Sequence, residues 1–559
     1  MLNFDEWLTN YTLFGFLLVL IFAFLYFKGK PNWEKPYKAS HWLWALAFFG
    51  LLFFMRYPFI AYNHELDIDE SQMIVQGMSL KKFWIYWKYV DGLTQGPLSS
   101  YALIVPSWFG LPFDYTSARL LGFVILSFTL ATTFLTFKNL FTPLTALIAF
   151  IPIAFFYLLS QGSFSTLYNE YFVLFLLALC FWLFSIIYRQ SQPDIKLLFL
   201  LGFVSGMVPF AKLQGVPTAL IIVIFTGIIL LQRSTQKVKA LASLYAGGLF
   251  FPLLVLGLTI RYGAFEYFWK FYLVGNSQYS SGESIWQKVL HYPGFLAHSG
   301  QFLFLFICYS FLIIFALLIL IRSRTLLKST NLLFWFGLIH IAIAFYAVIK
   351  SGYFFPHYQQ FLIIPFGIFS GVVMEAALKA AQLNFRKVEL LSLAWMLICV
   401  SPHVINKLAT VTGHASLPGI QIRKEAFGTP LFISPVSREI MKYTRPGDNI
   451  TLWGWHPAYH LETKLTQATG DAITYRIMTP SPKQKSYLAK YLNDIKASRP
   501  TIFIDLMSCQ SFWFNDPAQY NHERIASLQQ FIAQNYQQVI TVDDERIYVL
   551  KERLKALSN

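Results

Sequence analysis

The residues His64-Glu-Leu-Asp-Ile-Asp-Glu-Ser71 place four carboxylates close together, directly after the apolar stretch from His41 to Ile60. Charged residues make up only 13% of the 559-residue chain, whereas 56% of it is hydrophobic and 18% is aromatic. Such a composition, with a mean hydropathy of +0.50, is typical of a polytopic membrane protein rather than a soluble domain. The acidic cluster therefore lies at the edge of a membrane segment, where charge is costly and indicates a site.

Apolar runs recur from Tyr11 to about Ile405, each long enough to cross a hydrocarbon core of roughly 30 Å as a helix. They predict a polytopic α-helical domain over residues 1–405 with about 12 to 13 transmembrane helices. The segment from Pro97 to Leu111 is short and contains Pro106. We therefore expect this segment to be re-entrant or interfacial rather than spanning.

The distribution of basic residues orients these helices. Asp5 and Glu6 precede the first apolar run, which is followed by the lysines Lys28, Lys30, Lys35 and Lys38. Since cytoplasmic loops carry an excess of Lys and Arg, the amino terminus and the acidic cluster are both predicted outside. Other basic segments are interpreted as cytoplasmic: Arg189 to Lys196, Gln232 to Lys239, Arg322 to Lys328, and Phe385 to Lys387.

The same topology turns several other segments outward. Residues 197–231 hold two short apolar halves around Ala211-Lys212-Leu213-Gln214-Gly215, which places Lys212 outside. The loop from Lys350 to Gln360 is also predicted outside. Two further extracytoplasmic loops are expected over residues 61–97 and 261–299, the second of them aromatic and interfacial.

The chain changes character near residue 406, where mixed polar sequence replaces the apolar runs. Alternating strand and helix patterns predict an extracytoplasmic α/β domain over residues 406–559. Its expected elements are a helix over Pro435–Tyr443, a strand over Asn449–Trp455, a helix over Lys483–Lys496, a strand over Pro500–Leu506, a helix over His522–Asn535, and a final strand pair within residues 539–551.

Composition also excludes several classes of protein. The net charge of +16 comes largely from short loops between apolar runs, so it orients helices and does not indicate nucleic-acid binding. Cys180, Cys308 and Cys399 lie in apolar runs and Cys509 is alone in the polar part, which gives no disulfide framework and no metal-finger spacing. The amino terminus lacks a basic n-region, so the first apolar run is expected to remain as an anchor.

The polar outliers among the apolar runs gather on the outward side in this topology: Asp67, Asp69, Glu70, Glu170, Lys212, His357 and Tyr358. Asp69 and Glu70 are adjacent, so their side chains diverge, and one can act as a base while the other binds a metal or orients an acceptor. A structural alternative is that these acids stabilise the amino terminus of the following helix through its dipole.

The segments DIDESQMIVQG (Asp67–Gly77) and VDGLTQGPLSSYAL (Val90–Leu103) resemble the first external loop of GT-C-class glycosyltransferases. The similarity is greatest to the protein O-mannosyltransferase and lipid A aminoarabinose transferase branch. Further similar segments are GFVSGMVPFAKLQG (Gly202–Gly215), FFPHY (Phe354–Tyr358) and LWGWHPAYHLETK (Leu452–Lys464). The sequence departs from the pattern in an extra helix at Tyr11–Phe27 and in Gln95-Gly96-Pro97, so donor and acceptor identity do not transfer.

The resemblance implies a glycosyltransferase of a bacterial-type inner membrane, acting on the periplasmic side. It would take a sugar from a polyprenyl-phosphate donor and pass it to a glycan, lipid or protein acceptor. Its implied catalytic residues are Asp69 as general base and Glu70 beside it. The implied donor-phosphate ligands are Lys212 first, with Arg119, His357 and Tyr358.

Sugar or acceptor contacts are expected at Asp67, Glu170, Trp453, Trp455 and His456, with Tyr459 beside them. A divalent cation, Mg²⁺ or Mn²⁺, bound by Asp69, Glu70 and Glu170 as in oligosaccharyltransferase relatives, is an open alternative.

Each of these residues also has a structural interpretation. Lys212 could extend its amine from a short helix to the interface, and Arg119 could be an interfacial anchor. His357 and Glu170 could be ordinary loop residues, and the aromatic residues of the tail could be core. Two other functions stay open: a polymerase or ligase of polyprenyl-linked glycans, and a transporter of lipid-linked glycans. A transporter would show related halves and charges at mid-membrane.

Overall fold

The computed structural model describes residues 4–28, 39–160, 164–323, 331–381, 394–401, 430–506, 514 and 516–558. The chain forms two compact units. Unit 1 comprises residues 1–59, 122–254 and 279–421, and unit 2 comprises residues 60–121, 255–278 and 422–559. Residues 60–121 and 255–278 therefore belong to the same unit as the carboxy-terminal domain.

The polytopic helical fold is confirmed. Within the described residues, eight helices are long and apolar enough to cross a membrane: Leu43–Ile60, Tyr115–Leu140, Asn169–Arg189, Leu213–Arg233, Lys237–Arg261, Gly300–Arg322, Leu332–Ile349 and Pro356–Ala381. Three shorter apolar helices accompany them: Asn10–Tyr26, Pro143–Leu159 and Ile195–Phe210.

The chain breaks at Lys212 between two helices, as the sequence predicted. The helix Ile195–Met207 ends in a 3₁₀ turn over Val208–Phe210, and a second 3₁₀ turn over Leu213–Gly215 leads into the helix Val216–Arg233. Lys212 itself has an extended backbone, with φ −160° and ψ 129°. Prolines in the first positions of the first 3₁₀ turn and of the second helix favour this break, since proline suits a helix start.

The remaining helices of unit 1 follow the predicted apolar runs. Their bounds are Phe4–Lys28, Ala39–Ile60, Tyr115–Leu140, Pro143–Leu159, Asn169–Arg189, Lys237–Arg261, Ile285–His298, Gly300–Arg322, Asn331–Ile349 and Ile363–Ala381. A 3₁₀ helix over Pro356–Leu362 precedes the last of them. Three of these helices also contain residues of unit 2: Ala39–Ile60, Tyr115–Leu140 and Lys237–Arg261.

The short segment that begins at Pro97 folds as two helices, Pro97–Ala102 and Val105–Trp108. Helices of six and four residues are too short to cross a hydrocarbon core, in keeping with the expectation from Pro106. The aromatic loop forms the helix Phe265–Tyr267, a π-helix over Phe268–Leu273 and the helix Val274–Ser277.

The carboxy-terminal α/β domain is confirmed, with a five-stranded sheet. Its strands are β1 (Asn449–Trp453), β2 (Thr466–Gln467), β3 (Ile502–Asp505), β4 (Tyr536–Val542) and β5 (Glu545–Leu550), in the order β2-β1-β3-β5-β4. β1 pairs in parallel with β2 and β3, and β5 pairs antiparallel with β3 and β4. The register places Ile450 opposite Ile502 and Ile504 opposite Ile547, so the apolar residues of neighbouring strands align.

The helices predicted over Pro435–Tyr443, Lys483–Lys496 and His522–Asn535 are present within two residues of those bounds, the last divided into a 3₁₀ turn and an α-helix, and shorter helices accompany them. Their bounds are Pro435–Tyr443, Ala458–Thr463, Tyr475–Met478, Gln484–Ser498, Pro517–Tyr520, His522–Arg524 (3₁₀), Ala526–Asn535 and Lys551–Ser558. The core joins Val436 and Ile440 of the first helix to Ile450, Ile502 and Ile547 of the strands. Sequence reasoning missed the short strand β2 and the terminal helix Lys551–Ser558.

Some predictions fall on residues that the structure does not describe. These are the basic segment Phe385–Lys387, most of Arg322–Lys328, the solitary Cys509, and the start of the carboxy-terminal domain over residues 406–429.

Candidate functional site

The acidic loop, defined as residues 64–71, ends within the first turn of the helix Ile68–Lys82 of unit 2. Asp67 is the N-cap of this helix, and its carboxylate accepts a hydrogen bond from the Asp69 amide at 3.0 Å. Asp69 and Glu70 occupy the first turn, where the helix dipole favours negative charge. The acids therefore stabilise the amino terminus of this helix, as the structural alternative expected, and Asp67 does so as the N-cap.

Glu70 is held by Arg119, which lies in the helix Tyr115–Leu140. The guanidinium donates to both carboxylate oxygens, with Nε 2.8 Å from Oε1. It also donates to the carbonyls of Tyr62 and His64 at the start of the loop. Glu70 is 0% exposed and Arg119 is 3% exposed, so this ion pair lies out of water and fixes the loop's backbone.

Glu65 is a residue of the acidic loop that sequence reasoning did not select. Its carboxylate accepts a hydrogen bond from the Ser71 hydroxyl, and that hydroxyl lies 2.8 Å from the Tyr115 hydroxyl. Burial raises the pKa of Glu65 to about 7, with the charges of Asp67 and Glu70 acting in the same direction. A carboxyl group with a pKa near neutrality can accept or give a proton, and its only signal in the sequence was its place among the other acids.

The segment Leu452–Lys464 lies beside the acidic loop within unit 2. Its helix Ala458–Thr463 packs against the helix Ile68–Lys82, and the Gln467 amide donates to the Ser79 hydroxyl at 3.2 Å. The two segments that resembled the glycosyltransferases are thus neighbours in space. Their proximity was not predictable from positions almost 400 residues apart in the sequence.

The aromatic residues of this tail segment pack inside the domain. Trp453 is buried and donates its indole N–H to the Tyr520 carbonyl at 2.8 Å. Trp455 is buried against Tyr475, and the His456 ring packs against Tyr459. Burial lowers the pKa of His456. These contacts agree with the core interpretation of the aromatic residues, and contact with a sugar stays a prediction.

In unit 1, Glu170, Lys212, His357 and Tyr358 are brought together. Lys212 forms an ion pair with Glu170, and His357 Nε2 lies 4.0 Å from the same carboxylate oxygen. The Lys212 amine lies over the Tyr358 ring, 4.5 Å from its centroid. Because Lys212 is 5% exposed and Glu170 1% exposed, each stabilises the other's charge away from water.

A second group of residues, in the carboxy-terminal domain, has side chains of the kind that bind metal ions. Among the described residues, Asp505, His522 and Glu523 could together offer three ligand atoms to a metal ion. Arg546, however, already donates to both Asp505 and Glu523, and His522 Nδ1 lies 2.6 Å from Asp505. These contacts join the two carboxylates, the histidine and Arg546 in one hydrogen-bonded network. The open alternative of a metal at Asp69, Glu70 and Glu170 stays a prediction.

No protein-family model matches the sequence, and no curated protein matches it. A solved structure does: the crystal structure of ArnT from Cupriavidus metallidurans bound to undecaprenyl phosphate is 12% identical, with a TM-score of 0.55. The similarity covers 91% of this chain and 98% of that one. The chain therefore shares the overall fold of that structure over nearly its whole length.

Proposed function

We propose that this chain is an inner-membrane glycosyltransferase that moves a sugar from a polyprenyl-phosphate donor to an extracytoplasmic acceptor. The acceptor would be an envelope glycan, a lipid or a protein. The observation that carries the proposal is the fold shared over 91% of the chain with a structure bound to undecaprenyl phosphate. A polyprenyl phosphate is the product that such a donor releases when its sugar is transferred.

The reaction needs a base, because the acceptor hydroxyl must lose its proton as its oxygen bonds to the anomeric carbon. Both oxygens of Glu70 accept hydrogen bonds from Arg119 in a buried ion pair, so this carboxylate is already engaged. Asp67 caps the helix. Asp69 is half-buried in the first helical turn and is the proposed base. Glu65, in the same loop, is the second candidate.

Glu70 and Arg119 have a different part in this proposal. The Arg119 guanidinium holds the carbonyls of Tyr62 and His64 as well as Glu70, so the pair fixes the backbone that presents Asp69. Arg119 is therefore proposed as a positioning residue, and phosphate binding by Arg119 is the weaker alternative.

The leaving phosphate oxygen takes the electron pair of the broken bond to the anomeric carbon, so it needs nearby positive charge or donors. Lys212 is proposed for this role, with His357 and Tyr358 beside it. Its charge is already balanced by Glu170, so Lys212 would bind a phosphate by sharing its donors between the two anions.

The remaining assignments complete the proposal. Asp67, Glu170, Trp453, Trp455 and His456 are proposed near the acceptor or the sugar. The ion pairs of Glu70 and Glu170 supply charge balance with protein residues, and a divalent cation bound by Asp69, Glu70 and Glu170 is the alternative.

The test measures transfer from a labelled polyprenyl-phosphate sugar by the purified full-length chain in lipid nanodiscs, using Asp69→Asn. Loss of a general base lowers rates by about 10²- to 10⁴-fold. The control is Asp194→Asn, an exposed aspartate at the start of another helix, whose carboxylate accepts a hydrogen bond from the Lys196 amide at 2.8 Å. The control should transfer at the wild-type rate.

Unchanged transfer by Asp69→Asn would refute Asp69 as the base, and Glu65→Gln would then be assayed in its place. If the wild-type chain moved lipid-linked sugar across the nanodisc or vesicle bilayer without transferring it to any acceptor, the enzyme proposal would fail and a transporter would be favoured.

A further inference from the structure

A second group of cations in unit 1 lies outside the residues assigned above. Lys288, in the helix Ile285–His298, is 4% exposed, and its amine donates to the Ser280 hydroxyl at 2.6 Å and to the Lys350 carbonyl at 2.7 Å. Both acceptors are neutral. A buried ammonium without a counter-ion is costly, so its retention indicates an anion that binds beside it.

Lys350 adds a second positive charge at the same place. It follows the helix Asn331–Ile349, and burial together with the charge of Lys288 lowers its pKa. Within the described residues neither lysine has a carboxylate as an ion-pair partner, since nearby Glu283 pairs with His291 at 3.2 Å. The lysine pair, Lys288 and Lys350, therefore carries uncompensated positive charge, unlike Lys212.

The two loops beside the lysine pair pack closely against each other and against Lys288. The Ser281 amide donates to the Ser351 carbonyl at 2.8 Å, which joins the two loops. Gly352 has φ +75°, and a Cβ there would lie 2.1 Å from Ser281 Oγ and 2.8 Å from Lys288 Cε. Only glycine fits this position, because it tolerates positive φ and leaves room for the lysine.

Aromatic rings connect the lysine pair to the Lys212 region within unit 1. Tyr353 packs on Tyr279 with ring centroids 4.8 Å apart, and Phe355 stacks on His357 at 5.6 Å. His357 in turn stacks on Tyr168, which is two residues before Glu170, with ring centroids 4.2 Å apart. Rings along this path, with Tyr353 and Phe355 themselves 6.2 Å apart, link the two cationic places.

We propose that Lys288 and Lys350 bind the phosphate head of a membrane lipid. The proposal rests on the proposed function only for the identity of that lipid. A phosphate monoester carries between one and two negative charges near neutral pH, which suits two lysines better than the single charge of a phosphodiester. The site therefore fits a released polyprenyl phosphate better than its sugar-bearing donor.

The helix that carries Lys288 also offers an apolar surface. Trp286 is 75% exposed and Leu290 is 76% exposed, and their spacing of four residues places them on one helical face. Lys288 lies on the opposite side of this helix, so the surface suits contact with the bilayer around the helix and not with the chain of a lipid bound at the lysine pair.

The test titrates the full-length chain in detergent with undecaprenyl phosphate and follows binding by native mass spectrometry. Undecaprenol, phosphatidylglycerol and inorganic phosphate are titrated in parallel to separate the lipid chain, a phosphodiester lipid and free phosphate. The variant is Lys288→Gln with Lys350→Gln, and affinity for undecaprenyl phosphate should fall about tenfold or more. The charge-matched control is Lys237→Gln with Lys239→Gln, two exposed lysines, which should change it less than about twofold.

Two more variants guard against misfolding. Lys350→Gln alone changes an exposed residue and should weaken binding in part, whereas Lys288→Arg retains the charge and should keep most of the affinity. An equal loss for phosphatidylglycerol would support the lipid-phosphate site while removing its preference for a monoester. Unchanged lipid affinity in the double variant, or binding of inorganic phosphate alone, would overturn the proposal.

The proposed function is tested independently of the lysine site. Asp69→Asn should bind undecaprenyl phosphate as the wild type does while losing sugar transfer. If Asp69→Asn transferred sugar normally, the base assignment would fall and the lysine site would stand on its own binding data.

Discussion

The acidic loop of unit 2 and the lysine-bearing region of unit 1 both bury an ion pair, but the charged groups beside the pair are acidic in one region and basic in the other. Each contains a deeply buried ion pair, Glu70 with Arg119 and Glu170 with Lys212. Each also has charged groups close by that lack this compensation: the raised-pKa carboxyl group of Glu65 in one, and the lysine pair in the other. The two regions therefore differ in what lies beside the ion pair. In the acidic loop it is an acid that can hold a proton near neutral pH, and in unit 1 it is a pair of cations that can hold an anion.

The largest effect is expected from breaking the two buried pairs. Arg119→Met leaves the 0% exposed Glu70 without its cation, and Lys212→Met does the same to Glu170. Removing one partner of a buried pair destabilises by about 3–5 kcal/mol, because the other charge stays buried. Thermal unfolding of the purified variants in detergent measures the loss.

The matched controls neutralise the stranded partner as well. Glu70→Gln added to Arg119→Met, and Glu170→Gln added to Lys212→Met, should each recover part of the lost stability. If Lys212→Met unfolded at the wild-type temperature yet lost polyprenyl phosphate binding, the two pairs would differ in kind, and the Lys212 pair would be a ligand site rather than a structural one.

A smaller effect is expected from Gly352→Ala, which tests the backbone around the lysine pair. The new Cβ would meet Ser281 and Lys288 in addition to straining a residue at φ +75°. Strain and overpacking of this kind cost about 1–3 kcal/mol each, and displacement of Lys288 should weaken lipid-phosphate binding.

Gly110→Ala is the matched control for this change. Gly110 has φ +79°, but a Cβ there would meet nothing within 4 Å, so this variant reports backbone strain alone. Equal unfolding temperatures and equal lipid affinities for the two alanine variants would contradict the close fit around Lys288.

The smallest effect is a change in pH dependence in Glu65→Gln. Burial raises the pKa of Glu65 from its ordinary value near 4.5 to about 7, so between these values the folded chain keeps a proton that the unfolded chain loses. The contribution of Glu65 to stability is therefore greatest below pH 4.5 and is lost as the pH rises to 7.

Unfolding temperatures measured from pH 4.5 to 7 should fall more steeply for the wild type than for Glu65→Gln, which stays neutral. Glu552→Gln, at an exposed carboxylate, should leave the wild-type slope unchanged. A wild-type slope equal to that of Glu65→Gln would mean that Glu65 is compensated as fully as Glu70, and the contrast within the acidic loop would disappear.

Much of the fold could be predicted from the sequence because the relevant signals are local. Apolar runs identified the membrane helices, and the predicted helix Pro435–Tyr443 has the same bounds in the structure. The two-residue strand β2 was missed, since a strand so short has no periodicity of its own and depends on its pairing with β1.

The candidate site was only partly predictable. Sequence reasoning selected Glu70, Arg119, Glu170 and Lys212 as charged outliers, but it could not pair them, because the partners lie 49 and 42 positions apart. Glu65 was passed over although it stands in the same loop. Its raised pKa depends on burial and on neighbouring charges, which no local pattern reveals.

The sequence by itself determined which segments are apolar enough to enter a membrane and where acids and bases interrupt them, since both follow from the transfer free energy of successive residues. Only the tertiary structure decided which of those charges are neutralised. Coulombic compensation acts through space over a few ångströms, so it pairs Glu70 with Arg119 across 49 positions of the chain. Among the described residues it leaves Lys288 and Lys350, two like charges, without a carboxylate partner.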